Sequence, residues 1–125
     1  MKEIKIIYNK IIPFKGYCAI TIFNTIFART EYQKNGISKR TINHESIHMA
    51  QSRDFGIGFC GYFIFYIWYL LEWIFKLPCA LFGYAPYRSI SFEQEAFAHE
   101  NDFEYLKSRK RFQWTKYLFK YVKRR

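Results

Sequence analysis

TINHESIHMAQ, Thr41–Gln51, carries two of the three histidines of the 125-residue chain, four residues apart, with a glutamate directly after the first. Ser38 or Thr41 can cap a helix that we predict to run to about Asp54. Residues i and i+4 of a helix lie on one face, about one turn apart. The pattern therefore predicts a helix that presents two imidazoles on the same side.

This spacing suits a metal site, because His44 and His48 can offer ring nitrogens to one tetrahedral zinc ion. Zinc lowers the pKa of a bound water towards 7, and Glu45 can take its proton as hydroxide attacks a carbonyl. A catalytic zinc needs a third protein ligand. Glu93, in the downstream stretch SFEQEAFAHE, can provide it from a second helix. The alternative is that the histidines are solvated or cap the core, and that the glutamates are ordinary helix-surface charges.

The two motifs together carry a resemblance. HExxH followed by a later helix bearing ExEA, here HESIH and EQEA, resembles the gluzincin zinc metallopeptidases. The stretches HESIHMAQ and APYRSISFEQEA also resemble a group of small bacterial proteins of this type. The resemblance covers about Asn43–Gln51 and Tyr87–Glu95. It implies three zinc ligands and one catalytic base: His44, His48 and Glu93 as ligands, and Glu45 as the base.

One position departs from the family pattern. Many gluzincins have an aspartate directly after the ExEA alanine, whereas this chain has Phe97. A contact that orients a ligating histidine is then missing, and Glu95 or His99 are the candidates to replace it. Tyr87 and Arg88, which precede the third ligand closely, are the candidates to stabilise a developing oxyanion.

The rest of the chain predicts a single α+β domain, residues 1–125. YCAITIFNTIFART is rich in β-branched and aromatic residues, so we predict a hairpin that pairs Glu3–Ile12 with Tyr17–Arg29. An edge strand within Thr21–Arg29 can hold an extended peptide substrate by main-chain pairing. About four helices follow, with a zincin-like pair around the metal.

Three features delimit those helices. Gly56 and Gly58 end the first, and Pro78 ends a long apolar helix after it. Ser91 is predicted to cap a third helix through FEQEAFAHENDFEYLKSR. A basic C-terminal helix, 107–125, closes the chain.

The apolar helix raises the question of a membrane. Phe55–Leu71 is a run of 17 residues without a charge, which is the lower limit for a membrane span. A single span at Gly56–Leu77 places the two metal motifs on opposite sides of a bilayer, so it excludes a shared metal. Glu72 and Lys76, at i and i+4, can pair on one face. We therefore predict a buried core helix, with interfacial membrane contact as the alternative.

Charge is concentrated at the C-terminus. The net charge is +10, and residues 107–125 hold nine Lys/Arg and no Asp/Glu, which leaves 11 Lys/Arg against 10 Asp/Glu before them. Such a segment packs on the core, or docks on an anionic membrane surface. Nucleic acid is the least favoured partner. Three cysteines without a paired motif, and no signal-peptide pattern, favour a cytoplasmic location, with membrane association as an option.

The sequence thus predicts a small zinc-dependent, metallopeptidase-like hydrolase with a peptide or protein substrate. Two alternatives stay open. One is a metal-binding module without catalysis, and the other is a membrane-associated basic protein whose histidines are incidental.

Overall fold

The computed structural model of the chain describes residues 5–13 and 17–124. It has the predicted α+β class, with an N-terminal three-stranded mixed sheet followed by about five helices. The strands are β1 (Lys5–Asn9), β2 (Ala19–Ile22) and β3 (Thr25–Arg29). The helices are α1 (Lys39–Arg53), α2 (Phe59–Lys76), α3 (Pro86–Ser89), α4 (Ser91–His99) and α5 (Tyr105–Ser108). Short 3-10 segments occupy Thr30–Tyr32, Leu77–Phe82 and Gln113–Tyr117.

The sheet has the order β1-β3-β2, so β3 is central and β2 lies at an edge. β1 runs parallel to β3, and β2 pairs with β3 in the antiparallel direction. The two-residue turn between β2 and β3 consists of Phe23 and Asn24, both with positive φ, as tight hairpin turns require. This turn folds the second apolar segment back on itself.

The predicted hairpin between Glu3–Ile12 and Tyr17–Arg29 is therefore wrong in its pairing, because the hairpin lies within 19–29 and β1 joins it in parallel. Residues 3, 4 and 14–16 of that prediction lie outside the described residues. The sequence predicts an edge strand within Thr21–Arg29. Only the first residues of that range, Thr21 and Ile22 of β2, lie at an edge of the sheet.

Helix α1 forms as the sequence predicts. The hydroxyl oxygen of Ser38 accepts a hydrogen bond of 3.1 Å from the backbone N–H of Thr41, which caps the helix. Ten consecutive residues, Asn43–Ser52, are buried, because α1 packs against β2, α2 and α4 at once. The helix that carries the histidines is thus the central element of the fold.

Helix α2 is not the buried core helix that the sequence predicts, so that prediction is wrong. Its inner face is buried, with Phe65 packed in a cluster with Ile90, Phe92 and Trp114. The outer face is exposed, because the remaining elements are few and short and cover one side only. Among the described residues, one helical stretch, Phe59–Phe82, is long and apolar enough to cross a membrane, and 22% of its most apolar part is buried. The predicted Glu72–Lys76 pair is present, at 2.9 Å, on the buried face.

Helix α4 is shorter than predicted and is capped differently. It begins at Ser91, whose N–H and hydroxyl both donate to the carboxylate of Glu72 at 2.6 Å. Ser91 is therefore the first helical residue rather than the cap, and Ile90 takes the capping position. The helix ends at His99 instead of continuing to Arg109.

The predicted C-terminal helix, 107–125, is not continuous in the described residues. After α5 and the 3-10 segment Gln113–Tyr117, the chain runs extended alongside the α2–α3 connection. Ala85 donates its N–H to the carbonyl of Val122, and Arg124 donates to the carbonyl of Gly83. Trp114 anchors this segment in the core, and its last residues pair through their backbone with residues 83–85, so it does not form a free amphipathic helix.

Candidate metal centre

Helices α1 and α4 bring the three predicted ligands together. The Nε2 atoms of His44 and His48 lie 3.0 and 3.1 Å from the same oxygen, Oε1 of Glu93. One ligand atom from each residue lies within 4.8 Å of the others, and all three side chains are buried. Two imidazole nitrogens and one carboxylate oxygen form a donor set typical of zinc. This group can therefore hold a metal ion.

The far nitrogen of each histidine also has a partner. Nδ1 of His44 lies 3.0 Å from Oε1 of Glu100, and Nδ1 of His48 lies 2.8 Å from Oε1 of Gln51. An acceptor on Nδ1 favours a proton there, so that Nε2 is the nitrogen available to a metal. Both Nε2 atoms point into the centre, and a metal that binds there displaces any proton they carry.

Asn43 places the Glu100 carboxylate. Its Nδ2 atom lies 2.9 to 3.2 Å from the carbonyls of His99, Glu100 and Asp102, which follow or end α4. Glu100 lies three residues beyond Phe97, and the ring of Phe97 packs edge-on against that of His44 at 4.6 Å. The acidic contact to His44 therefore comes from Glu100, three residues after Phe97.

Neither of the two predicted replacements occupies that position. The ring of His99 stacks on that of Tyr105 at 3.7 Å. Glu95 is fully buried and accepts hydrogen bonds from Gln51 at 3.0 Å, from Tyr105 at 2.6 Å and from Arg109 at 2.6 Å. It supports the amide that orients His48 rather than contacting the histidine itself.

The electrostatics of the centre follow from burial and mutual contact. Burial alone raises the pKa of Glu93, but the two histidines outweigh it and hold that pKa well below its ordinary value. Burial alone lowers the pKa of His48, but the Glu93 carboxylate raises it to about 9. The buried carboxylate thus binds positive charge, a proton or a metal cation, between itself and the imidazoles.

Glu45, the predicted base, lies outside the ligand group. Its Oε1 atom accepts a hydrogen bond of 2.8 Å from the hydroxyl of Thr21 on β2. The side chain is buried, and burial raises the pKa of its carboxyl, while His48 and His44 act in the opposite direction. A raised pKa makes this carboxylate a stronger proton acceptor than an exposed one.

A cavity of about 280 Å³ adjoins the centre and is lined by Glu45, His48 and Glu93 among others. Strand β2 forms one wall, and aromatic side chains of α2 form another. Tyr69 of α2 donates a hydrogen bond of 2.6 Å to Oε2 of Glu93. The cavity therefore joins the ligand group, the candidate base and an edge strand.

The two predicted oxyanion candidates differ in position. Tyr87 lines the cavity, and burial together with Glu93 raises the pKa of its phenol, which stays protonated as a donor. Arg88 is not part of the cavity wall, and its guanidinium lies over the ring of Phe97 at 4.3 Å.

Sequence reasoning missed several residues of the centre. Glu100 is the last residue of the acidic stretch SFEQEAFAHE, so the sequence indicated that it could lie near the candidate ligands. No such signal existed for Thr21 and Tyr69, because their contacts join segments that are far apart in the chain.

Comparisons with protein-family models, with curated proteins and with solved structures found no significant match to this chain. The resemblance to gluzincins therefore rests on the HESIH and EQEA residues. What the structure adds is the buried His44–His48–Glu93 group, consistent with a metal site.

Proposed function

We propose that the His44–His48–Glu93 group holds zinc and that the centre hydrolyses peptide bonds, with Glu45 as the general base. One observation carries the proposal. The three side chains converge, and two of them, His48 and Glu93, line a cavity that the Glu45 side chain also lines. A structural zinc site is usually closed by four protein ligands, whereas a catalytic site keeps a position open for water or substrate.

A bound zinc ion supplies a water of lowered pKa and positive charge for the carbonyl oxygen of the substrate. Glu45 accepts the proton of the attacking water. The Thr21 hydroxyl fixes one oxygen of that carboxylate, and the buried setting keeps its pKa above the ordinary value. General bases of this kind contribute about 10²–10⁴ in rate.

The substrate chemistry follows from the neighbouring strand. β2 is an edge strand, and its residues Ala19, Ile20 and Thr21 line the cavity. An extended peptide can pair with a strand edge through its own main chain, which places a scissile carbonyl in the cavity. The neutral phenol of Tyr87 then donates to the oxygen on which negative charge develops.

The decisive experiment measures zinc content and peptidase activity on the same samples. Wild type should hold about one zinc per chain after zinc supplementation, and His48→Ala should lose it, because two ligands rarely retain zinc. Glu93→Gln should weaken zinc binding. Glu45→Gln should keep the zinc and the fold but lose hydrolysis, because an amide accepts no proton from water.

Glu104→Gln serves as the matched control, because Glu104 is exposed and pairs only with nearby Lys107 among the described contacts. It should behave as wild type in both assays. Absence of zinc from folded, supplemented wild type overturns the metal centre. Bound zinc with equal activity in wild type and Glu45→Gln rules out the base. Bound zinc without activity on any peptide favours the metal-binding module.

A further inference from the structure

The outer face of residues 59–82, here called the α2 outer face, is apolar and exposed over its full length. Large side chains are exposed at both ends of the face. Phe59 lies at one end, and Leu81 and Phe82, which are 85% and 77% exposed, lie at the other. The stretch contains only two charged residues, Glu72 and Lys76. Both are buried and paired with each other on the inner face, so the α2 outer face presents no charge.

A neighbouring turn extends this face at its first end. The exposed ring of Phe23, in the β2–β3 turn, stacks on Phe59 at 5.7 Å. Tyr62 fixes the turn against α2 through hydrogen bonds of 2.5 and 2.7 Å with Asn24. Large contiguous apolar patches are uncommon on monomeric soluble proteins and mark interaction sites or membrane contacts.

Basic residues border the face at its other end. Lys123 forms a β-bridge with Tyr84, and Arg124 donates its N–H to Gly83, directly after the exposed Leu81 and Phe82. Lys120 and Lys123 are exposed, and residues 107–125 contain no acidic side chain. Phe119, which is exposed and directly precedes Lys120, adds a large apolar side chain. Lys120, Lys123 and Arg124, here called the basic border, thus adjoin the α2 outer face.

We propose that the α2 outer face embeds in the surface of an anionic lipid bilayer, with the basic border on the lipid headgroups. Apolar burial and electrostatic attraction act together in such attachment. The helix lies in the interface rather than spanning the bilayer. This proposal does not depend on the peptidase activity.

The inner face of α2 explains why the helix stays on the domain. Lys76 donates to the carbonyls of Ser89 and, at 3.2 Å, Lys120, while Glu72 binds the start of α4. Tyr69 binds Glu93 of the metal centre. A span across the bilayer would expose these charged and polar groups to lipid, where unsatisfied groups are strongly unfavourable.

Charge argues for lipid over a second copy of the chain. In a two-fold dimer the same face of both copies is buried, which brings together two chains that each carry a net charge of +10. Like charges across an interface oppose association. A chain of net charge +10 gains instead from an anionic surface.

Vesicle flotation with the full-length protein tests the proposal. Wild type should float with phosphatidylcholine–phosphatidylglycerol vesicles, and raised salt should weaken binding. The double substitution Leu81→Ser/Phe82→Ser should weaken it about tenfold or more, because two apolar side chains leave the bilayer. Lys120→Gln/Lys123→Gln should weaken it roughly fivefold per lysine and reduce the salt dependence.

Phe103→Ser is the matched control, because Phe103 is 56% exposed but lies outside the face. It should bind vesicles as wild type does. Circular dichroism of each variant checks that the fold is retained. Failure of folded wild type to float, or equal flotation of wild type and Leu81→Ser/Phe82→Ser, overturns the proposal. A dimer that this double substitution dissociates, without vesicle binding, assigns the face to a second copy instead.

Discussion

The Nδ1 atom of His44 lies 3.0 Å from the Oε1 atom of Glu100, a residue that no ExEA motif includes. The carboxylate fixes the ring so that Nε2 faces Glu93 and the centre. Its own position depends on the end of α4, because Asn43 of α1 bonds the carbonyls there. Phe97 stands where many gluzincins have an aspartate, and in this chain the acidic contact to His44 comes from Glu100.

We predict that Glu100→Gln weakens zinc affinity by about 10- to 100-fold, the usual effect of losing a carboxylate that orients a ligating histidine. Competition with a chromophoric zinc chelator measures the change. Glu104→Gln, at an exposed glutamate four residues further along the chain, should leave the affinity unchanged. Equal zinc affinity in Glu100→Gln and wild type would show that the contact does not orient the ligand.

Local signals predicted α1 well. A serine cap, an i, i+4 histidine pair and two glycines after the helix are features of neighbouring residues, and the helix forms between them. The three candidate ligands could be named from the sequence because each lies in a short motif on a predicted helix. Their convergence depends on how α1 and α4 pack, and the family resemblance supplied that expectation.

The errors concern contacts between distant segments. An apolar segment has the same composition whether it faces a core or solvent. The composition of α2 therefore could not show that only one side of the helix is covered. The sequences of β1 and β3 contain no feature that indicates their parallel pairing. The turn that makes β2 and β3 antiparallel, in contrast, is formed by neighbouring residues. Over 107–124, which the structure describes, the C-terminal segment forms no long helix, and residues 122–124 pair through their backbone with residues 83–85.

Zinc should stabilise the native state, because the three ligands converge only in the folded chain. At a free concentration of about 100 times the dissociation constant, the gain is about 2.7 kcal/mol. For a domain of this size the melting temperature should rise by roughly 10 °C. Calorimetry with and without zinc measures it. His48→Ala should melt at one temperature in both conditions, and a zinc-dependent rise in that variant would place the metal elsewhere.

Arg109 should be among the residues most important for stability. Its side chain is 5% exposed and binds Glu95 at 2.6 Å and Asp54 at 2.7 Å, so it neutralises two buried carboxylates. Arg109→Ala leaves both without a cation, and losing one partner of a buried pair destabilises by about 3–5 kcal/mol. Urea unfolding measures the loss. Lys110→Ala, at the exposed next residue, should differ little from wild type.

Gln51 occupies a position that only an amide fits. Its Oε1 atom accepts from Nδ1 of His48 at 2.8 Å, and its Nε2 atom donates to Oε1 of Glu95 at 3.0 Å and to the carbonyl of Phe92 at 2.9 Å. One end must accept and the other must donate, and the side chain is fully buried. Gln51 therefore joins the ligand to the Glu95–Arg109 pair.

Two substitutions at this position should separate metal binding from stability. Gln51→Ala removes the acceptor on His48, so zinc affinity should fall by about 10- to 100-fold. Gln51→Glu retains that acceptor but places a second carboxylate against Glu95, so its main effect should be a lower free energy of unfolding. Zinc competition and urea unfolding on both variants give the comparison. A loss of zinc affinity in Gln51→Glu as large as that in Gln51→Ala would show that the amide acts on His48 through packing, because the glutamate keeps the hydrogen-bond acceptor in place.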